Sequence, residues 1–409
     1  MDKNKIMSSL ENSREEIIQD IISLSSIPAV NPKMGGSGEY KRMEWIAQKL
    51  DSYGLSYTFY DVPDETVPQG IRRNIVAKFQ GTENSEKTLW FIAHVDTVNS
   101  GDLSMWDTDP FKPVQKGDKI YGLGVEDNSQ AVIEMLQCCK ILKQNPITAQ
   151  CNLGFIFGSD EETGSAFGLH ALLKQKLFSP EDEAIVPDGG SSDGCFVEIA
   201  EKSQVWIKFT VEGKQAHASM PHLGLNACSI GMHLGCAIED SLKEKYGEND
   251  PLFNPPYSTF ELTQKFANVD SANVMPGKDQ FVMDLRILPR YTVTEVLQTI
   301  DEKIEEYRAR YKASKISYEF LTKVEAPPPT NSNSMVVQKL VEAINESGRK
   351  AYFGGIGGGT CAAILRAYNI PSVVWSTLDD LAHQPNEYVI ISNVINDTKI
   401  FMEVISKYK

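Results

Sequence analysis

The spacing of apolar residues distinguishes two kinds of segment in the first half of the chain. Short, almost wholly apolar runs rich in β-branched and aromatic residues are typical of buried strands, and apolar residues three or four apart predict helices. A Ser13–Glu16 capping-box pattern precedes the first helix. The predicted helices lie near 13–24, 40–53, 128–144 and 166–176, and the strands at 74–79, 88–94, 151–158 and 184–186. This alternation predicts a doubly wound α/β layer.

The pattern changes near residue 203. The predicted elements there are a strand at 204–213, a helix at 226–245, strands at 260–263 and 279–286, a helix at 293–312 and a strand at 316–322. This βαββαβ order is the ferredoxin-like pattern. A proline-rich linker follows, and a helix at 333–347 and a strand at 371–375 resume the α/β style. We therefore predict one discontinuous domain, 1–202 with 326–409, and an inserted domain, 203–325.

Composition limits the classes of function. The chain has 409 residues and a formal net charge of −15, so two or three domains are expected, and neither nucleic acid nor an anionic membrane suits its surface. It has no run of 18 apolar residues, and its first six residues lack the apolar region of a signal peptide. The seven cysteines include no CxxC pair, and we expect them to be reduced, buried and structural. These features favour a cytoplasmic protein that acts on small molecules.

His94 ends the apolar strand at 88–94, and Asp96 lies two residues further along the same extended run. Residues two apart on a strand share a face, and a carboxylate is a common partner for the second ring nitrogen of a metal-bound histidine. Taken alone, such a His-x-Asp pair is more often an ordinary polar pair than part of a metal site.

Three further candidates each have an ordinary explanation. Asp127 lies in a glycine-rich turn before a helix, where aspartate is a preferred N-cap. Asp188 follows a short apolar strand and precedes two glycines, as turn residues do. His383 lies in a polar loop, where a surface histidine is unremarkable.

The stretch FGSDEETGS, residues 157–165, places three carboxylates side by side after a buried strand. An isolated acidic run usually faces water. However, sites in α/β sheets lie beyond the carboxyl ends of the strands, where these candidates would converge. Two imidazoles and three carboxylates suit two divalent metals bridged by one carboxylate, and the cations would offset the local negative charge. The predicted ligands are His94, Asp127, Glu162, Asp188 and His383.

These segments resemble, in the same order along almost the whole chain, the dinuclear zinc metallopeptidase family. That family includes acetylornithine deacetylase, succinyl-diaminopimelate desuccinylase, aminoacylase, carboxypeptidase G and cytosolic dipeptidases. The matching motifs are HVDTV, the turn ending in Asp127, DEETGS, PDG, GKQAHASMPHLGLNA, NVMPG with DLR, GGGT and AHQPNEY. The resemblance implies a zinc-exopeptidase-like catalytic domain with an inserted ferredoxin-like lid or dimerisation domain, and a homodimer joined through that domain.

The resemblance also assigns roles at the metal site. His94 and His383 would bind different metals, Asp127 would bridge them, and Glu162 and Asp188 would complete the two ligand sets. The metals would be zinc, although cobalt or manganese also suits nitrogen and oxygen ligands.

For the reaction, the resemblance makes Glu161 the general base. Asp96 would orient His94, and His217 would donate to the oxyanion, from the partner subunit or from its own chain. The peptide bond between Asp127 and Asn128 is expected to be cis.

The remaining motifs concern the substrate. By resemblance, Asn273 and Arg286 would hold a free carboxylate, and Gly359 and Thr360 would line the pocket. The same glycines invite a phosphate-loop interpretation, but the chain lacks the Gly-Lys-Ser/Thr ending that this motif needs.

Two residues favour a dipeptidase over other members of the family. Cys361 occupies a position where many relatives have aspartate, and Asp188 matches the dipeptidase and tripeptidase pattern. We therefore expect metal-dependent hydrolysis of an amide bond in a di- or small peptide with a free carboxylate. An N-acyl-amino-acid deacylase is the alternative, and a noncatalytic amino-acid-binding relative is an alternative of another class.

Overall fold

The computed structural model of the chain describes residues 9–83, 86–145 and 149–408, so the first six residues lie outside the described part. Two compact units are present. One comprises Met1–Ile199, Thr330–Phe353 and Thr360–Lys409, and the other comprises Ala200–Pro329 and Gly354–Gly359.

The elements are numbered here in chain order. The strands are β1 (Tyr57–Pro63), β2 (Ile71–Phe79), β3 (Thr88–His94), β4 (Val114–Lys116), β5 (Lys119–Tyr121), β6 (Asn152–Gly158), β7 (Glu183–Ser191), β8 (Phe196–Glu201), β9 (Ser203–Glu212), β10 (Ala216–His217), β11 (Thr259–Lys265), β12 (Val274–Met275), β13 (Lys278–Ile287), β14 (Lys315–Val324), β15 (Tyr352–Ile356), β16 (Ser372–Thr377) and β17 (Tyr388–Ile390). The helices are α1 (Arg14–Ser25), α2 (Tyr40–Ser52), α3 (Gln130–Gln144), α4 (Leu169–Lys174), α5 (Ala227–Lys245), α6 (Val293–Arg310), α7 (Met335–Glu346), α8 (Cys361–Ala367) and α9 (Ile391–Lys407).

An eight-stranded sheet forms the core of the first unit, in the order β1-β2-β6-β3-β7-β16-β8-β15. Its central strands β6, β3, β7 and β16 are parallel, whereas β1, β2 and β8 pair antiparallel with their neighbours. Every residue of β3 is buried, as the continuous apolar run predicts for a strand covered on both faces. The α/β prediction is confirmed, with a mixed sheet.

The register of the parallel strands places the candidate metal ligands of β3 and of the acidic run together, at the carboxyl ends of the strands. In the parallel ladder of β3 and β6, His94 lies opposite Gly158, so the acidic run at 160–162 follows directly beyond His94. Below that edge the core is aromatic: the Phe91 ring stacks on Phe155 at 5.2 Å between centroids and meets Phe401 of α9 at 5.3 Å. The packed core thereby fixes the positions at which the strands end.

The second unit contains a four-stranded antiparallel sheet in the order β11-β13-β9-β14. The elements follow as strand, helix, strand, strand, helix, strand. Alternate residues of β9 are buried, and they join α5 and α6 in one hydrophobic cluster. This period of two is the one expected for a sheet with one covered face.

Two local expectations are wrong. Ser13 does precede α1, but residues 9–12 are helical as well. The Ser13 hydroxyl donates to the carbonyl of Ser9, and no capping box forms. All seven cysteines are free, as expected, but only four are buried: Cys195 and Cys228 are half-buried and Cys236 is exposed. Among the described residues, no helix has the length and apolar character needed to cross a membrane.

Candidate metal centre

The two carboxylate oxygens of Asp127 face two different histidines. Its Oδ1 lies 2.8 Å from Nε2 of His94, and its Oδ2 lies 3.3 Å from Nε2 of His383. Asp188 Oδ1 is 3.3 Å from the same His94 nitrogen, and Glu162 Oε2 is 3.0 Å from that of His383. The ligand atoms therefore form two groups of metal-binding size that share Asp127.

His94 is oriented by the backbone of Asp96. The His94 Nδ1 lies 3.0 Å from the carbonyl oxygen of Asp96, whereas the Asp96 carboxylate is 3.7 Å away. The sequence analysis predicted that the Asp96 carboxylate would orient His94. That carboxylate instead accepts from the backbone N–H of Glu161 at 3.0 Å and from the amide of Asn31 at 2.8 Å.

A tight turn presents Asp127. Gly124 has φ +70°, and a Cβ there would lie 2.5 Å from Cγ2 of Thr97, so the turn requires glycine. The backbone then leaves helical geometry at Asp127 (φ −113°, ψ 89°) and Asn128 (φ −134°, ψ 35°), and α3 begins only at Gln130, so Asp127 is not its N-cap. The Asp127–Asn128 peptide bond is cis, as expected from the family resemblance.

Asp188 lies inside β7 rather than after a short strand, which corrects the expected turn position. The ladder of β7 with β16 changes register between Val186 and Gly190, so Asp188 sits at an irregular point of the strand. The amide of Asn128 donates to its Oδ1 at 2.8 Å. The neighbouring turn therefore helps to aim Asp188 at His94.

The three adjacent carboxylates of the acidic run have different surroundings. Asp160 is fully buried and accepts from Thr163 Oγ1 at 2.6 Å and from the amide of Asn31 at 3.1 Å. Glu162 accepts from the N–H of Val98 through Oε1 at 3.1 Å, which leaves Oε2 facing His383. Asp160 is thus held by protein donors, and only Glu162 joins a ligand group.

The charges at this site shift its pKa values strongly. Burial lowers the pKa of His94, but the carboxylates of Asp188 and Asp127 outweigh it and raise that pKa well above its ordinary value. Hydrogen bonds that the protonated His383 ring donates to the Asp127 and Glu162 carboxylates raise the pKa of His383 to about 10. Burial, followed by repulsion from Asp188, raises the pKa of Glu161 well above its ordinary value.

These pKa shifts indicate that the clustered carboxylates need positive charge beside them. Without cations, protonated imidazoles compensate the clustered carboxylates. Imidazole nitrogens and carboxylate oxygens are also the ligands of zinc and of similar divalent ions. Two divalent ions in the two groups would replace those protons, so the residues fit a dinuclear metal site.

Sequence reasoning missed two buried glutamates beside this centre. Glu387 accepts from the backbone N–H groups of the turn that presents Asp127, and Glu126 accepts from the backbone just before His383. Their only sequence signal is their position within the VED and AHQPNEY stretches, which carry Asp127 and His383.

Three residues expected to act on the substrate, namely His217, Asn273 and Arg286, belong to the second unit. His217 and Asn273 are exposed in the second unit, with the His217 Nε2 3.4 Å from the Asn273 amide nitrogen. The Arg286 guanidinium donates to both oxygens of Asp284, at 2.7 and 3.0 Å, and to the carbonyl of Gly357 at 2.6 Å.

Gly359 and Thr360 precede α8. A Cβ at Gly359 would lie 3.1 Å from Nε2 of Gln204. The Thr360 hydroxyl oxygen accepts from the N–H of Ala362 at 3.1 Å and caps the helix. The backbone thus comes close to Gln204 here, and Thr360 has a capping role that the sequence analysis did not predict.

The model of peptidase family M20/M25/M40 matches residues 90–407, which is more than half of the chain. The chain belongs to this family. An uncharacterized metallohydrolase of Methanocaldococcus jannaschii is 40% identical to this chain, over 95% of the chain and 100% of its own length. Succinyl-diaminopimelate desuccinylase of Orientia tsutsugamushi is 27% identical over 93% of each chain.

The fold is shared with solved structures. Human carnosine dipeptidase 1 superposes on this chain with a TM-score of 0.75 at 17% identity, covering 99% of this chain and 98% of the other. The resemblance noted from the sequence motifs is therefore confirmed at the level of the family.

Proposed function

We propose that the chain is a dinuclear metal-dependent hydrolase of an amide bond in a small substrate that carries a free carboxylate. The observation that carries this proposal is the sharing of Asp127: one oxygen faces His94 and the other faces His383. A carboxylate that faces two ligand groups in this way suits a bridge between two cations.

The predicted ligands then divide into two sets. His94 and Asp188 would hold one ion, Glu162 and His383 would hold the other, and Asp127 belongs to both groups. Divalent ions bound there would lower the pKa of a bound water and polarise the scissile carbonyl. Zinc is the proposed metal, with cobalt or manganese as substitutes that the same ligands accept.

Glu161 is the proposed general base. It follows the buried Asp160, belongs to neither ligand group, and has its backbone N–H fixed by the Asp96 carboxylate at 3.0 Å. It would take the proton of the attacking water and deliver it to the leaving amine. Asp96 would serve the reaction by holding this segment and His94 in register.

The inserted region 203–325 is proposed as the lid or dimerisation domain, and 1–202 with 326–409 as the catalytic domain. His217 of the inserted region is the proposed donor to the oxyanion. Its Nδ1 accepts from the N–H of Ser219 at 3.1 Å, so Nε2 is the ring nitrogen left to face an oxyanion. Asn273 and Arg286 are proposed to hold the substrate carboxylate, and Gly359 and Thr360 to line its pocket.

We propose that the inserted region 203–325 binds a second copy of the chain. The proposed location of this dimer is the cytoplasm. An apolar surface supports this proposal: Met232 of α5 is 58% exposed, and Leu262 of β11 and nearby Phe266 are each 40% exposed. Sedimentation velocity of the purified chain tests it. Dimers should dissociate when Met232 and Leu262 are both changed to glutamate, whereas a monomeric wild-type chain would contradict the proposal.

For the substrate, a di- or small peptide is the leading choice. Asp188 among the ligands and Cys361 after the GGGT motif support it. The alternative is an N-acyl-amino-acid deacylase, and a specific observation favours that one as well: a relative that is 27% identical over 93% of the chain is named as a desuccinylase.

The test compares kcat/KM for Ala-Ala with that for N-acetyl- and N-succinyl-alanine after loading with zinc or manganese. A clear preference for the dipeptide supports recognition of a free α-amine. A clear preference for an acyl compound supports the deacylase alternative. Absence of hydrolysis by a fully metal-loaded chain would instead support a noncatalytic binding protein.

A further inference from the structure

Glu387 binds the turn that presents Asp127. It lies four residues after His383 and is 1% exposed. Its Oε2 accepts from the N–H of Gly124 at 2.7 Å, and its Oε1 accepts from the N–H groups of Glu126 at 2.8 Å and Asp127 at 3.0 Å. The segment of one metal ligand thus holds the backbone of another.

Glu126 makes the reciprocal contacts. It directly precedes Asp127 and is 5% exposed. Its two carboxylate oxygens accept from the N–H groups of Asp379 and Leu381, both at 2.7 Å, two to four residues before His383. The turn that contains Asp127 and the loop that precedes His383 therefore each provide one buried carboxylate, which accepts hydrogen bonds from the backbone of the other segment.

Strand pairing leads directly into these contacts. The ladder of β5 with β17 pairs residues 119–121 with 388–390, and the N–H of Gly122 then donates to the carbonyl of Glu387 at 3.0 Å. The two glutamates continue this connection beyond the end of the ladder, up to the metal ligands. Together they form what we call the glutamate latch, Glu126 and Glu387.

We infer that the glutamate latch sets the separation of Asp127 and His383 and thereby the affinity of one of the two metal positions. The inference rests on the proposed dinuclear site. The position formed by Asp127, Glu162 and His383 takes ligands from both latched segments. The other position takes only Asp127 from them, together with His94 of β3 and Asp188 of β7. Loosening the latch should therefore weaken the His383 position more than the His94 position.

A purely structural role is the competing explanation, because buried N–H groups need acceptors wherever they occur. Asp182 offers a matched control. It is 1% exposed and accepts from the N–H of Thr88 at 2.8 Å, the N–H of Ser179 at 2.9 Å and the indole of Trp90 at 2.7 Å. These contacts lie at the start of β3, at the opposite end of the strand from His94.

The variants are Glu126→Gln, Glu387→Gln and, as the control, Asp182→Asn. Each keeps the size of the side chain but replaces an accepting oxygen by an NH2 group that faces a backbone donor. Metal-free protein is titrated with Co²⁺ and followed by calorimetry and visible absorption. We expect wild type and Asp182→Asn to bind two ions alike, and the latch variants to bind the second ion about 10- to 100-fold more weakly, as for other groups that orient metal ligands. A changed cobalt spectrum should accompany this loss.

Equal affinity for both ions in all variants would overturn the inference, even if all three variants lose thermal stability. Should Glu387→Gln fail to fold, Glu126→Gln carries the same test, because it leaves the donors of the Asp127 turn paired with Glu387.

Amide hydrogen exchange of the metal-free protein tests whether the two sides of the glutamate latch support each other. Glu387→Gln should speed exchange at Asp379 and Leu381 as well as at Gly124 and Asp127, since each side of the latch supports the other. Exchange that rises only at the direct partners would contradict mutual support. Neither readout uses hydrolysis, so failure of the latch and failure of the proposed activity remain distinguishable.

Discussion

The Nδ1 of His94 donates its hydrogen to the backbone carbonyl oxygen of Asp96 over 3.0 Å. A carbonyl oxygen only accepts, so the proton of the neutral ring must lie on Nδ1. With a metal ion bound, the Nε2 lone pair of the neutral ring would face that ion, which Asp127 and Asp188 would also hold. Because a backbone atom fixes this tautomer, substitution of the Asp96 side chain leaves the acceptor itself in place.

Replacing His94 by alanine should remove one of the two metal positions. The loss of a direct ligand should exceed the roughly 10- to 100-fold effect of losing a group that only orients one. Metal analysis after dialysis against trace zinc should show about one ion per chain, with hydrolysis abolished. His170→Ala is the control, since His170 lies on α4 outside both ligand groups. Two tightly bound ions in the His94 variant would refute its role as a ligand.

Replacing Glu161 by glutamine should separate chemistry from metal binding. Glu161 belongs to neither ligand group, so two ions should remain bound. Loss of a general base lowers kcat by about 10²- to 10⁴-fold, and KM should change little. Glu181→Gln, at an exposed position, serves as the control. A variant that keeps wild-type kcat would exclude Glu161 as the base.

Asn31 should act on the rate through Glu161. Its one amide nitrogen donates to both Asp96 and Asp160, and the Asp96 carboxylate holds the Glu161 backbone. Asn31→Ala leaves two buried carboxylates without their shared donor, which costs about 1–3 kcal/mol of unfolding free energy. We expect kcat to fall about 10- to 100-fold with both metals retained. Reduced stability at unchanged kcat would show that Asn31 serves the fold alone.

The metal-free protein should lose stability as pH rises. Asp127 and Glu162 raise the pKa of His383 to about 10 from an ordinary 6.5. A histidine whose pKa is raised by folding stabilises fully below its unfolded pKa and loses that contribution as pH rises towards its folded pKa. Urea unfolding in EDTA should therefore show stability falling from pH 6.5 to 10.

The comparison that isolates His383 uses His383→Gln. Its stability should fall less over this window than that of wild type. Glu387, whose pKa is raised to about 8 by burial, adds a decline that both proteins share. His170→Gln should keep the full wild-type slope, because burial lowers the pKa of His170. Identical slopes in wild type and His383→Gln would contradict the ion pairs at this site.

The sequence predicted the sheet and the ligand residue types because both leave local patterns. Apolar runs mark β3 and β6, and the polar residues that follow them indicate a site at the strand ends. The change of register at Asp188 leaves no such pattern, since it depends on how β16 pairs with β7.

The supporting contacts were missed for a related physical reason. Asn31 meets Asp160 across 129 residues, and Glu387 meets Gly124 across 263 residues. These contacts depend on tertiary packing, and an Asn after an isolated valine or a Glu in a polar loop resembles many surface residues. Ser13 shows the opposite error. The local pattern marks the start of α1 at Arg14, but the capping box does not form, because the preceding residues are helical and the Ser13 hydroxyl donates to the carbonyl of Ser9.

The most direct test of the account is a crystal structure of the zinc-loaded protein with anomalous diffraction at the zinc edge. The account predicts two peaks about 3.5–4 Å apart. One should lie among His94, Asp127 and Asp188, and the other among Asp127, Glu162 and His383, with Asp127 ligating both. A single peak, or two peaks that do not share Asp127, would contradict the dinuclear site.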